Sequence, residues 1–196
     1  MRRKSHYQLG LYLAHHYLPH ISGPDRSVFL LGCVEPDHNP FTYWKGSLRF
    51  QWLRGHNYPN SRRYMEKLSH RLETTPRWSL IDSYSLGKLI HYLADAFTSA
   101  HNPHFPEELT LHRAYEDGLQ HMFLGLLAAN PAPAPAAMQT LPDLLASLHR
   151  EYTSQSPTPE NDTRHILTAC CTCMAIFKSK TECSLCKSSP APQRRR

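Results

Sequence analysis

No stretch of this chain approaches the roughly 18 uninterrupted apolar residues of a membrane span. The Met1–His20 region lacks the apolar centre of a secretory signal, so a cytoplasmic location is expected. In that setting the six cysteines read as thiols or metal ligands before disulfides. Alternating runs of β-branched residues are also missing, which argues against a sheet. There is no internal repeat. There is also no His-Asp dipeptide, which excludes the histidine-aspartate type of helical phosphohydrolase. The net charge of +6 suggests a polyanion partner until its location is considered. The excess sits in Arg2-Arg3-Lys4 and Arg194-Arg195-Arg196, so no continuous basic groove for nucleic acid is indicated.

What is present is helical period. Apolar residues recur at three- and four-residue spacing from His6 to about Tyr17, through a short segment ending at Cys33, and from about Ser61 to Leu72. The longest such pattern runs from Ile81 or Asp82 to Ala100, with Leu86, Ile90, Leu93 and Phe97 as its buried stripe. Further helices are expected over about Pro106–Ala129, Leu141–Tyr152 and Thr163–Phe177. Glu107 and Glu108 should fall in the first turn of the Pro106 helix, where the macrodipole favours acids. Asp25 is a candidate cap. Pro36, Pro40 and Pro59 make Val34–Asn60 read as a long ordered loop, and Pro131–Pro135 as a stiff spacer. The expectation is an all-α, multi-helix bundle: a single helical metal-binding domain over 1–186 and a disordered basic tail over 187–196.

Within this pattern lie His91, Asp95, His101, His112 and Glu116, spaced His-x3-Asp-x5-His and His-x3-Glu. Residues four apart share one helix face, so His91 with Asp95 and His112 with Glu116 each form a two-pronged claw. Two facing claws can hold more than one divalent ion. Gly87 lies one turn before His91. It either leaves room beneath that claw for an ion or permits close helix packing. Asp37 and His56 are further candidates upstream. Cys170, Cys171, Cys173, Cys183 and Cys186 match a zinc ribbon only weakly, which leaves a separate structural zinc as the lesser reading; small buried apolar residues explain the first three.

The ordered series of His6, Pro36-Asp37, Gly55-His56, His91-Tyr-Leu-Ala-Asp95, His101-Asn102 and His112-x3-Glu116 resembles the zinc-dependent phospholipases C, whose helical bundle is shared with zinc-dependent single-strand nucleases. The likeness spans roughly residues 6 to 120. It implies one zinc on Asp37, His56, His91 and Asp95, and a second on His101, His112 and Glu116. A third would share Asp95 with an early histidine and a processed amino terminus. His6 matches that histidine in order but stands closer to the start of the chain than the family's spacing, which leaves His15, His16 and His20 as alternatives.

The resemblance implies hydrolysis of a phosphodiester, most naturally phospholipid head-group cleavage with peripheral membrane contact, by a zinc-activated water. Asp37 is the candidate catalytic residue, orienting or deprotonating that water, or else a ligand only. Phe41, Tyr43, Trp44, Trp52 and Tyr58 suit either a quaternary ammonium group or a base. A single-strand nuclease and an inactive metal-stabilised helical binding protein are the alternatives.

Overall fold

The computed structural model describes residues 1–39, 56–103, 105, 106, 108–129 and 140–185, with side chains to 178. The elements are α1 (Arg3–Tyr17), α2 (Gly23–His38), α3 (Tyr58–Thr74), α4 (Leu80–Ala96), a 3-10 turn (Ser99–His101), α5 (Leu109–Ala128), α6 (Leu141–Thr153) and α7 (Pro159–Leu185). The expected all-α bundle is what forms. Among the described residues there is no strand, and no helix is long and apolar enough to cross a membrane.

Helix α4 is the axis of the bundle, buried on every face from Leu86 to Ala96 because α1, α2, α3 and α7 all pack on it. Its start is set by Ser79 and Asp82: the Ser79 N–H and Oγ–H donate to Asp82 Oδ2 at 2.9 and 2.7 Å. Arg71 Nη2 donates to Asp82 Oδ1 at 2.8 Å and ties the end of α3 to the same point. Around α4 the core collects Leu9 and Leu13, Phe29, Met65 and Leu72, Phe123, and Ile166, Met174 and Phe177, all fully buried. Each such side chain stabilises the bundle by roughly 1.5–3 kcal/mol relative to exposure. Cys33, Cys170, Cys171 and Cys173 are buried in this core, as expected of small apolar residues. Cys183 and Cys186, Pro131–Pro135 and the 187–196 tail lie outside the described side chains and residues.

Several boundaries differ from the sequence reading, and the last helix, α7, runs over Pro159–Leu185 rather than about Thr163–Phe177. Helix α2 continues through Pro36 to His38, so Val34–His38 is helix rather than loop, and α3 already begins at Tyr58. A proline disfavours helix at the residue before it and removes one backbone donor. Here tertiary packing overrides that preference: Cys33 and Pro36 are buried against the bundle, and Lys88 Nζ on α4 reaches Glu35 Oε2 at 3.0 Å. Ser22, not Asp25, caps α2, its Oγ accepting from the Asp25 N–H at 3.2 Å. Helix α5 starts at Leu109 with Glu108 as its cap residue, so no acid occupies its first turn; Glu107 lies outside the described residues. Helix α4 stops at Ala96, and the 3-10 turn carries His101.

Gly87 serves helix packing. A Cβ built there would lie 2.1 Å from the Phe29 carbonyl oxygen, and one on Gly32 would lie 2.2 Å from the Tyr84 carbonyl oxygen. Two glycines facing each other thus let the α2 and α4 backbones touch. The space beneath the His91–Asp95 claw is filled by α2, not kept for an ion. The contact still matters to the site, because it brings the last turns of α2 against His91.

Candidate metal centre

Six helical and turn residues and His56, just ahead of α3, gather around Asp95, which is fully buried near the end of α4. Its Oδ2 lies 2.8 Å from His56 Nδ1 and 3.2 Å from His91 Nε2. Its Oδ1 lies 3.2 Å from His6 Nε2 and 3.6 Å from His101 Nε2. The two oxygens of one carboxylate therefore look toward two different sets of imidazoles. Asp37, at the end of α2, brings Oδ1 within 3.7 Å of His91 Nε2 and 4.0 Å of His56 Nδ1. On α5, Glu116 Oε1 stands 3.3 Å from His101 Nε2 and 3.5 Å from His112 Nε2.

All eight residues singled out in the sequence are thus brought together, in three groups whose ligand atoms lie within 4.8 Å of one another: His6, His91, Asp95; Asp37, His56, His91; and His101, His112, Glu116. Of the early histidines, His6 is the one beside Asp95, stacked on His91 at 3.9 Å between ring centres. His15 and His16 instead line a separate groove with Leu124 and Leu127, and His20 is exposed. The amine of Met1 also reaches the centre, 2.8 Å from Asp95 Oδ1, 2.9 Å from Glu116 Oε1 and 2.9 Å from His101 Nε2.

The donor set suits divalent zinc, which favours imidazole nitrogen and carboxylate oxygen. His91 Nδ1 lies 2.9 Å from the Cys33 carbonyl oxygen, which can only accept, so Nδ1 carries the proton and Nε2 presents its lone pair to the cluster. Both ring nitrogens of His6 are buried without a hydrogen-bond partner among the described residues, although Asp95 Oδ1 is close. A buried polar atom costs about 1–3 kcal/mol when unsatisfied, and an ion between ring and carboxylate would satisfy it. The Cys33 carbonyl was not foreseeable, since a backbone acceptor leaves no mark in residue type.

Charge balance points the same way. Burial alone would push the Asp95 and Glu116 carboxyls up, yet the neighbouring amine and imidazoles hold both well below the ordinary range. Burial lowers the Met1 amine, but Asp95, Glu116 and Asp37 prevail and raise it to about 11. Such a pocket demands positive charge. Burial, reinforced by His91, lowers His6 to about 4, the neutral form a metal ligand needs. Burial also opposes charge on His91, but Asp95 and Asp37 raise it.

For His6 the folded value lies below the ordinary value of about 6.5. Its contribution to stability is therefore full above pH 6.5 and is lost as pH falls toward 4, a loss of about 3 kcal/mol. In the metal-free chain, NMR of the His6 ring should show it neutral from pH 7 down to 5. Titration near 6.5 would contradict the burial and contacts described.

Among the expected cleft aromatics only Tyr58 is described. It stacks on His149 at 3.5 Å and lines a surface groove with Arg62, Arg63 and Glu66; Phe41, Tyr43, Trp44 and Trp52 lie outside the described residues. The zinc dependent phospholipase C family model matches residues 11–162. No curated protein and no solved structure matches the chain.

Proposed function

This chain belongs to the zinc-dependent phospholipase C family, and on that premise we propose that it hydrolyses phosphodiester bonds, releasing the head group of a phospholipid. The observation that carries this reading is the division of Asp95 between two sets of imidazoles, each completed by a further carboxylate, Asp37 or Glu116. In this reading Asp37, His56, His91 and Asp95 hold one zinc; His101, His112 and Glu116 hold a second; and His6 with Asp95 contributes to a third. Bound zinc acidifies water toward neutrality and neutralises charge on a phosphate.

The chain's own groups supply the rest. Asp95, His6 and His91 are at most 1% exposed, whereas the Asp37 side chain is 16% exposed and that of His112 28%. Substrate therefore approaches on the side of Asp37 and His112. Asp37 is the carboxylate placed to accept a proton from water entering there, and it orients that water toward phosphorus. The Cys33 carbonyl holds the His91 ring in one tautomer, so the cluster needs little rearrangement on binding.

The test is a side-by-side assay of zinc-loaded protein on a phosphocholine ester and on single-stranded DNA. Turnover of the ester is expected, with Asp37→Asn lowering it about 10²–10⁴-fold. Hydrolysis of DNA alone would assign a nuclease instead. Unchanged turnover in Asp37→Asn would remove that residue from catalysis, and no turnover of either substrate would favour a binding protein.

A further inference from the structure

His101 is the only one of these side chains carried by a short 3-10 turn, Ser99–His101, and such a turn has little internal strength. Its anchor lies in the first turn of α7. Asp162 is fully buried and accepts four hydrogen bonds. Oδ2 accepts from the Ser99 N–H at 2.7 Å and from Tyr115 Oη at 2.9 Å. Oδ1 accepts from Ser99 Oγ at 2.8 Å and from Tyr152 Oη at 2.7 Å. One carboxylate thus gathers the turn, α5, α6 and α7. Four donors occupy the lone-pair sites of a carboxylate, so Asp162 has none to spare for an ion or a substrate.

Two of those donors connect directly to the cluster. Ser99 is two residues before His101. Tyr115 immediately precedes Glu116 and follows His112 by three, so its tether sets the rotation of α5 at both ligand positions. The far side of the turn is also held: Asn102 Nδ2 donates to the Ala96 and Thr98 carbonyls at 3.1 and 2.9 Å, and His149 Nε2 lies 3.0 Å from Asn102 Oδ1.

We infer that Asp162 is the positioning residue for the His101–His112–Glu116 cluster, aligning a turn and a helix that the local backbone would not align alone. The inference rests on the metal reading proposed above. It separates Asp162 from residues that merely fill the core, because its effect should fall on one metal and not on the others.

The test is stepwise zinc affinity, measured against a competing chelator, together with the absorption spectrum of the cobalt-substituted protein. His112→Ala identifies the binding step that belongs to this cluster. Asp162→Asn should weaken that step about 10–100-fold and alter the corresponding cobalt bands, with the remaining affinity kept within about twofold. Tyr115→Phe removes a single tether and should weaken the same step several-fold; it decides the matter if Asp162→Asn does not fold. Leu144→Ala, which truncates a buried residue of α6, supplies a destabilised comparison and should leave this step unchanged. Wild-type affinity in both tether variants would overturn the inference. So would equal weakening of every step, or the same selective loss in Leu144→Ala. If the wild-type chain binds no zinc at all, it is the metal reading that fails, and this inference falls with it.

Discussion

Replacing Gly87 with alanine is expected to lower stability by about 3 kcal/mol and the melting temperature by roughly 5–10 °C, despite alanine's better helix propensity. The added methyl would meet the Phe29 carbonyl oxygen at 2.1 Å and the Cys33 nitrogen at 2.9 Å. Both are backbone atoms, so no rotamer change relieves the overlap. Helices α2 and α4 must part. Parting them moves the Cys33 carbonyl from His91 Nδ1 and Asp37 from His91 Nε2, contacts that now measure 2.9 and 3.7 Å. Thermal melts and zinc content should therefore fall together. A melting temperature at or above wild type would show that α2 and α4 do not meet as described.

Asp95→Asn should have the larger effect on function. This substitution keeps the shape of the side chain and removes the charge that faces four imidazoles and the Met1 amine. Removing one partner from a buried charge cluster typically costs about 3–5 kcal/mol. Because Asp95 divides its oxygens between two sets of rings, the loss of metal should extend to more than one ion, and phosphodiester hydrolysis should fall to background. Glu116→Gln offers the contrast, since Glu116 lies close to His101 and His112 and should affect their ion most. Full zinc content in Asp95→Asn would show that this carboxylate is not shared between ions.

The parts of this account legible in the sequence are those governed by local period. His91 and Asp95, and His112 and Glu116, are paired by the geometry of a helix turn, which spacing alone reveals. The buried stripe of α4 is legible for the same reason. What escaped was decided by contacts distant in sequence. Pro36 reads as the end of a helix, but the packing of Cys33 and Pro36 and the Glu35–Lys88 pair carry α2 past it, placing Asp37 on a helix end. Gly87 admits two local readings, and only the position of Gly32 on another helix decides between them. The choice of His6 over His15, His16 and His20 depends on which face of α1 meets α4, and α1 is too weakly amphipathic to declare that face. Asp162 lies 61 residues beyond His101 in number and carries no motif, so its role emerges only when Ser99, Tyr115 and Tyr152 are seen around it.

The most direct measurement is elemental analysis of the purified wild-type protein at neutral pH, after removal of loosely bound metal. Seven side chains gathered around one buried carboxylate, Asp95, predict at least two equivalents of zinc per chain. A preparation that is folded, contains no zinc and takes up none when zinc is supplied would contradict the account at its centre.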